Sequence, residues 1–177
     1  MIFIGIDNGV SGSIAFIRED KKKRGVHPVP VKNCLDYTKA VRYVTRVDHD
    51  SLFTLIETTI RDYNNATYVN IDDVRICIER PMINPMRFRA SMGAIRCLEN
   101  VLIIVEELRL SYSFIDSKEW QRAMLPAGTS KRDDLKKIST EIAERKFPGG
   151  CFRKNKIDGD AYLMTEYMIK KYLRGDL

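Results

Sequence analysis

The sequence predicts an α/β fold built on a five-stranded mixed sheet with helices on its flanks. Three short apolar segments near the N-terminus are separated only by turns, which indicates three antiparallel strands joined by hairpins. Two later apolar strands each follow a helical segment, and a helical crossover places the fourth strand parallel to the first. The 177 residues contain no linker long enough to divide them, which predicts one domain over residues 1–177.

The three N-terminal strands are predicted from short apolar runs. Strand Ile2–Ile6 is apolar apart from one glycine and ends on a single acid, Asp7. Asn8-Gly9 follows and is typical of a tight turn, after which residues 13–17 resume as a second strand. Residues 26–31 contain two prolines, so the third strand is expected at an edge of the sheet or in an irregular form.

The middle of the chain alternates helical and strand patterns. Residues 36–64 predict a helix in two pieces with a break near residues 48–50. Residues 74–78 form the next strand, which again ends on an acid, Glu79. Residues 90–110 predict a long helix whose apolar surface is wide enough to face both the sheet and a second subunit.

The C-terminal third contains the fifth strand and three helices. Strand Tyr112–Ile115 is followed directly by a short helix and then by a helix that ends at Phe147. The last helix is predicted over residues 157–172. Asp158 and Asp160 lie in its first turn, where the helix dipole favours carboxylates.

The composition excludes several classes of protein. No apolar run reaches the roughly 18 residues that a membrane helix needs, and no secretory signal is present, so we expect a cytoplasmic protein without membrane contact. Four cysteines without a Cys-x-x-Cys pair, and only two histidines, make a zinc site improbable. A net charge of +6 favours a polyanionic partner, although only weakly.

The acids at the strand ends predict a site. If the first and fourth strands are neighbours, Asp7 and Glu79 lie side by side, and Asp158 and Asp160 can dock beside them from the last helix. Clustered carboxylates repel one another, and hard divalent cations such as Mg²⁺ or Mn²⁺ remove that conflict. Two such ions roughly 4 Å apart can bind the attacking water and the leaving oxygen during hydrolysis of a phosphodiester. The alternative interpretation is that acids are common at strand ends without a metal and that the acids of the last helix only cap it.

Four segments resemble one known family. IGIDNGVSGSIA resembles the opening motif of RuvC-like Holliday-junction resolvases, a branch of the ribonuclease H-like superfamily. CIERP resembles that family's second motif, and FIDSKEWQ is similar to a segment of bacteriophage-type members. KIDGDAYLMTEY resembles the acidic motif on the family's last helix. The four segments follow the family's order and span nearly the whole chain.

The resemblance implies a ribonuclease H-like fold and a Mg²⁺-dependent crossover junction endodeoxyribonuclease, with Mn²⁺ as a possible substitute. The catalytic metal ligands that it implies are Asp7, Glu79, Asp158 and Asp160. One feature departs from the family, because Asp158 is only two residues before Asp160 and residues two apart do not share a helix face. Either Asp158 reaches the metal from the start of the helix, or only Asp160 binds it.

Basic residues near these motifs are candidates for DNA contacts, with a solvated basic surface as the alternative. The candidates are Arg80, Arg87, Arg89, Lys118, Lys131, Arg132, Lys154 and Lys156. Trp120 is expected to pack in the core rather than to stack on a base.

The resemblance also implies partners and a setting. It implies four-way junctions and branched DNA as substrates, a homodimer that cuts two strands symmetrically, and the host cytoplasm if a phage encodes the chain. The sequence is also compatible with two other functions: an ATP-binding actin-like or sugar-kinase-like fragment, and a non-catalytic module that binds branched DNA.

Overall fold

The structure is a computed structural model that describes residues 1–36, 42–64, 70–129, 132–152, 154–155 and 157–176. Its strands are β1 (Ile2–Ile6), β2 (Ser13–Arg18), β3 (Arg24–Pro28), β4 (Val31–Leu35), β5 (Tyr43–Val47), β6 (Val74–Glu79) and β7 (Tyr112–Ile115). Its α-helices are α1 (His49–Asn64), α2 (Phe88–Glu107), α3 (Ser117–Met124), α4 (Arg132–Lys146) and α5 (Asp160–Arg174).

The predicted five-stranded mixed sheet is confirmed. Its strand order is β3-β2-β1-β6-β7. The first three strands are antiparallel, whereas β6 runs parallel to β1 and β7 runs parallel to β6. Ile6 pairs with Ile78, so the residues that follow these two positions lie at the same edge of the sheet. The third strand lies at the opposite edge from β7, as its prolines predicted.

The first half of the helix predicted over residues 36–64 is wrong. Residues 43–47 form β5, which pairs antiparallel with β4 in a separate two-stranded sheet. The sequence YVTRV alternates and is rich in β-branched residues, a pattern that favours a strand over a helix. Residues 37–41 lie outside the described part of the chain. The second half of the prediction is confirmed by α1.

Helices cover both faces of the main sheet. Side chains on one face of β1 and β2 pack against α1 and α2, and those on the other face pack against α3, α4 and α5. All five residues of β1 are buried. A strand covered on both faces reads as a continuous apolar run rather than as an alternating one, which explains why β1 was easy to recognise.

Close contact at Gly5 brings α5 onto the end of β1. A Cβ atom at this position would lie 2.2 Å from Thr165 Oγ1 and 2.7 Å from the Ala161 carbonyl oxygen. Only glycine leaves room for the helix backbone to approach the strand this closely. Asp160 immediately precedes Ala161, so this packing carries the start of α5 to the sheet edge where Asp7 lies.

Among the helices that the structure describes, none combines the length and the apolar character needed to cross a bilayer.

Candidate metal centre

Two acids project from neighbouring parallel strands. Asp7 directly follows β1 and Glu79 is the last residue of β6, and the β1–β6 pairing sets them side by side as the sequence predicted. Burial raises the pKa of Asp7, and the neighbouring Glu79 carboxyl raises it further. Both side chains are partly buried at the sheet edge.

Two more acids arrive from the segment that leads into α5. One carboxylate oxygen each from Asp7, Asp158 and Asp160 lies within 4.8 Å of the other two. We call these residues the carboxylate trio. Three carboxylates this close form an oxygen-rich site of the kind that hard divalent cations prefer.

The predicted start of the last helix is wrong by three residues, and the difference brings Asp158 into the site. Helix α5 begins at Asp160, so Asp158 lies in the preceding turn rather than on a helix face. The rule that residues two apart lie on different helix faces therefore does not apply to Asp158 and Asp160. Asp158 therefore lies just before the helix start and close to Asp160, and whether it binds a metal stays a prediction.

Gly159 allows this turn to fit against α4. A Cβ at position 159 would lie 2.2 Å from the carbonyl oxygen of Ser139 and 2.8 Å from Ala143 Cβ. The hydroxyl of Ser139 donates a 3.1 Å hydrogen bond to the Lys136 carbonyl oxygen. Burial raises the pKa of Asp160, and nearby Ser139 acts in the opposite direction. Helix α4 therefore holds the turn that carries both acids.

The carboxylates of the trio repel one another. The pKa of Asp7 is raised well above its ordinary value, first by burial and then by the charges of Glu79, Asp158 and Asp160. Burial and the charge of Asp158 raise the pKa of Asp160 to about 7, in spite of the opposing effect of Ser139. Each raised pKa means that the metal-free site resists holding all of its negative charges at once.

Lys136 on α4 supplies a positive charge to the trio. Its Nζ lies 2.7 Å from Asp158 Oδ2. Burial acts to lower the pKa of Lys136, but the bond to Asp158 and the neighbouring acids outweigh it, so this pKa is raised. The other oxygen, Asp158 Oδ1, is buried and has no hydrogen-bond partner among the residues that the structure describes. A buried carboxylate oxygen without a partner is costly, and a bound cation would satisfy it.

Trp120 fixes the fourth acid. Its indole Nε1 donates a hydrogen bond of 3.1 Å to Glu79 Oε1, and the side chain is only 1% exposed. The prediction that Trp120 packs in the core is confirmed. Its contact with Glu79 was not predicted, although a buried indole N–H needs an acceptor and that requirement was a usable clue.

The loop between β1 and β2 is larger than the predicted tight turn. It covers residues 7–12 and is closed by a 2.9 Å bond from the Asp7 amide to the Ser13 carbonyl oxygen. A Cβ at Gly12 would lie 2.1 Å from the Asp7 carbonyl oxygen, so this glycine packs directly on the backbone of the acid. The side-chain amide of Asn8 reaches the Ala94 carbonyl oxygen on α2 at 3.4 Å.

The predicted DNA contacts divide into three groups. Arg80 forms an ion pair of 3.3 Å with Asp116 and lies over the ring of Phe114, so its guanidinium is already engaged. The exposed candidates are Arg87, Arg89, Lys118 and Lys154. The candidates Lys131 and Lys156, together with the side chain of Arg132, lie outside the described residues. Sequence reasoning did not single out Lys136 or Ser139, because only the fold brings α4 against the turn before α5.

Comparison with known proteins gives matches at the level of structure alone. No family model and no curated protein sequence matches this chain. RuvC of Thermus thermophilus in complex with a Holliday junction substrate is a structural neighbour, at 13% identity and a TM-score of 0.40, over 80% of this chain and 79% of that one. A second structure of Thermus thermophilus RuvC matches at 10% identity and a TM-score of 0.34, over 80% of each chain.

Proposed function

We propose that this chain is a metal-dependent endodeoxyribonuclease that resolves Holliday junctions and related branched DNA. The observation that carries the proposal is the carboxylate trio, in which oxygens of Asp7, Asp158 and Asp160 lie within 4.8 Å of one another. These acids belong to the segments whose sequence resembles the first and last motifs of RuvC-like resolvases. Glu79, from the second motif, lies beside Asp7 at the end of the neighbouring strand.

The residues of the site fit a divalent cation. The trio offers only hard carboxylate oxygens, and the unpartnered Asp158 Oδ1 is one that a cation would satisfy. Oxygen ligands of this kind suit Mg²⁺, with Mn²⁺ as a substitute. Two bound ions would polarise the attacking water and stabilise the leaving 3′ oxygen of a phosphodiester.

The chain's own residues arrange this chemistry. Asp7, Asp158 and Asp160 would hold the cations, and Trp120 would orient Glu79 as a further ligand. Lys136 offsets the charge of Asp158 before the ions bind. Exposed basic side chains, such as Lys118, would position the phosphates of the bound strand. The products would be a 5′-phosphate and a nick that ligase can seal.

A homodimer completes the proposal, because symmetric incision of a four-way junction needs two sites related by a two-fold axis. Helix α2 is the proposed interface. Its inner residues Cys97 and Val101 are buried, whereas Ile95 and Ile103 are each 42% exposed. We place the activity in the cytoplasm, which is the host cytoplasm if a phage encodes the protein.

Cleavage of a labelled four-way junction, compared with a linear duplex of matched sequence, tests the function. We expect Mg²⁺-dependent nicking of the junction near its branch point and little cleavage of the duplex. The same reaction without Mg²⁺ and the Asp7→Asn variant are the controls. Junction binding without any cleavage in Mg²⁺ or Mn²⁺ would overturn the nuclease assignment and favour a non-catalytic binding module.

A further inference from the structure

A cavity of about 630 Å³ lies between the small two-stranded sheet and α2. One wall is β5, the other is the N-terminal half of α2, and Val10 from the β1–β2 loop closes one end. None of the trio residues lines it. A volume of this size accommodates a group as large as a small-molecule ligand but not a DNA duplex.

The rim of the cavity is strongly basic. Four arginines line it, namely Arg42, Arg46, Arg89 and Arg96, against one acid, Asp36. Arg42, Arg89 and Arg96 are exposed, and within the described ranges none of the three forms an ion pair. Positive side chains gathered around one concavity attract an anion and hold it by charge-assisted hydrogen bonds.

The floor of the cavity is apolar and its edges are aromatic. Val47 and Cys97 are buried at the bottom, and Met92 is half-buried beside them. Tyr43 and Phe88 line the opening and are 65% and 69% exposed. Aromatic side chains and arginines together are the surfaces on which proteins stack unpaired bases. A phosphate ion alone would not contact this apolar floor, so a ligand that also carries a flat apolar group such as a base fits better.

Asn100 adds a polar group with no partner of its own. Its Oδ1 atom is buried and makes no hydrogen bond with any described residue, and the side chain lines the cavity. The accessible lining of the cavity is an apolar floor with a cationic rim, which match the base and the phosphate of a nucleotide.

The β1–β2 loop connects this cavity to the metal centre. Val10 is three residues after Asp7, and the bond from Asn8 to the Ala94 carbonyl oxygen fixes the loop against α2. One short loop therefore carries both an acid of the trio and a residue that lines the cavity.

We propose that this cavity binds one unpaired nucleotide of the branched DNA substrate, with the base on the apolar floor and the phosphate at the arginines. This inference rests on the proposed function and names the substrate feature that the chain reads. It predicts that branched DNA with an unpaired nucleotide at the branch point binds more tightly than the same branch fully paired.

Metal-free binding measurements test the proposal, since DNA then stays intact. A branched DNA carries 2-aminopurine as its single unpaired base, and fluorescence intensity and anisotropy are recorded against a fully paired branch of the same arms. We expect the wild-type protein to alter the 2-aminopurine signal. The variants Tyr43→Ala and Arg96→Ala should each weaken binding of the unpaired substrate about tenfold. Tyr43→Ala removes base stacking, and Arg96→Ala removes a charge-assisted hydrogen bond to the phosphate. Binding of the paired branch should change less than twofold.

Arg174→Ala is the matched control, because it removes an exposed arginine at the far end of α5 from Asp160. It should leave the difference between unpaired and paired DNA unchanged. Both cavity variants alter exposed side chains, and their melting temperatures verify folding. Deoxyadenosine monophosphate is tested alone as a free nucleotide. If it raises the melting temperature while the two branches bind equally, the cavity takes a free nucleotide and the DNA proposal is wrong.

The outcome is separable from that of the nuclease assignment. If the wild-type protein nicks junctions in Mg²⁺ but Tyr43→Ala and Arg96→Ala bind both substrates like the wild type, the cavity proposal alone is overturned. If the preference for an unpaired nucleotide is lost in the variants while no DNA is cut, the cavity proposal stands and the nuclease assignment is overturned.

Discussion

Trp120 Nε1 donates a hydrogen bond of 3.1 Å to Glu79 Oε1, and this contact links α3 to the end of β6. The indole is buried and cannot turn away, so it holds the carboxylate in one orientation beside Asp7. A group that orients a metal ligand in this way is usually worth a factor of about 10 to 100 in metal affinity or activity.

The variant Trp120→Phe tests this contact. It keeps most of the apolar packing and removes the donor, so cleavage of a four-way junction should fall about 10- to 100-fold. Tyr167→Phe is the control, since it removes a different hydrogen bond to α3, the one that Tyr167 on α5 donates to Glu119. Equal effects of the two variants on cleavage would argue against an orienting role for Trp120.

Asp7→Asn should lower activity and raise the stability of the metal-free protein. Cleavage should fall at least about 100-fold, as for loss of a key charge-stabilising group. Thermal unfolding in EDTA should shift to higher temperature, because the substitution removes one of several mutually repelling charges. Binding to junction DNA should persist. Asp176→Asn, an exposed acid near the C-terminus, should change none of the three measurements.

The raised pKa of Asp160 predicts how stability depends on pH. Its pKa of about 7 in the folded protein exceeds the ordinary value of 3.8, so the folded state binds more protons than the unfolded state between these values. The free energy of unfolding in EDTA should therefore fall as pH rises from about 4 through 7. Melting temperatures at a series of pH values check this, and Asp160→Asn should flatten the dependence.

Mg²⁺ should act in the opposite direction. The ion binds deprotonated carboxylates, so its affinity, and the increase in melting temperature that it produces, should grow as pH rises past 7. A Mg²⁺-induced increase that is the same at pH 5.5 and pH 8 would contradict the assignment of Asp160 as a ligand.

The ion pair between Lys136 and Asp158 predicts a second linkage between metal and stability. Lys136→Ala leaves Asp158 without its counter-charge, and because Lys136 is 44% exposed we expect a loss of only about 1 kcal/mol in EDTA. Saturating Mg²⁺ should restore most of that loss, whereas Lys136→Arg should need no such rescue. Chemical denaturation with and without Mg²⁺ measures both effects.

Gly5→Ala tests the packing that carries α5 to the site. The added Cβ would collide with the Thr165 side chain and with the Ala161 backbone, so we expect a loss of about 1 to 3 kcal/mol in stability. Cleavage should fall as well, because the displaced helix carries Asp160. Gly93→Ala is a control for unfolding, since a Cβ there meets no atom within 4 Å and alanine favours the helix.

The sequence was sufficient to predict the main sheet and the meeting of Asp7 with Glu79. Continuous apolar runs indicated buried strands, and the handedness and polarity of a helical crossover set β6 beside β1. Residues 43–47 were misjudged because a short β-branched segment near a real helix satisfies both patterns.

The contacts of Lys136, Ser139 and Trp120 could not be predicted, because they join side chains that only the tertiary fold brings together. The position of Asp158 could not be predicted either. Its place in the turn before α5 depends on how closely Gly159 packs on the Ser139 carbonyl oxygen, and a spacing pattern does not contain that distance.

The trio draws on both ends of the chain, with Asp7 near the first residue and its two companions more than 150 positions later. While the ribosome is still synthesising this protein, the emerging polypeptide carries Asp7 and Glu79 but lacks the turn with the other two acids. A prematurely terminated product that stops before residue 158 therefore lacks two of the three carboxylates that make up the trio.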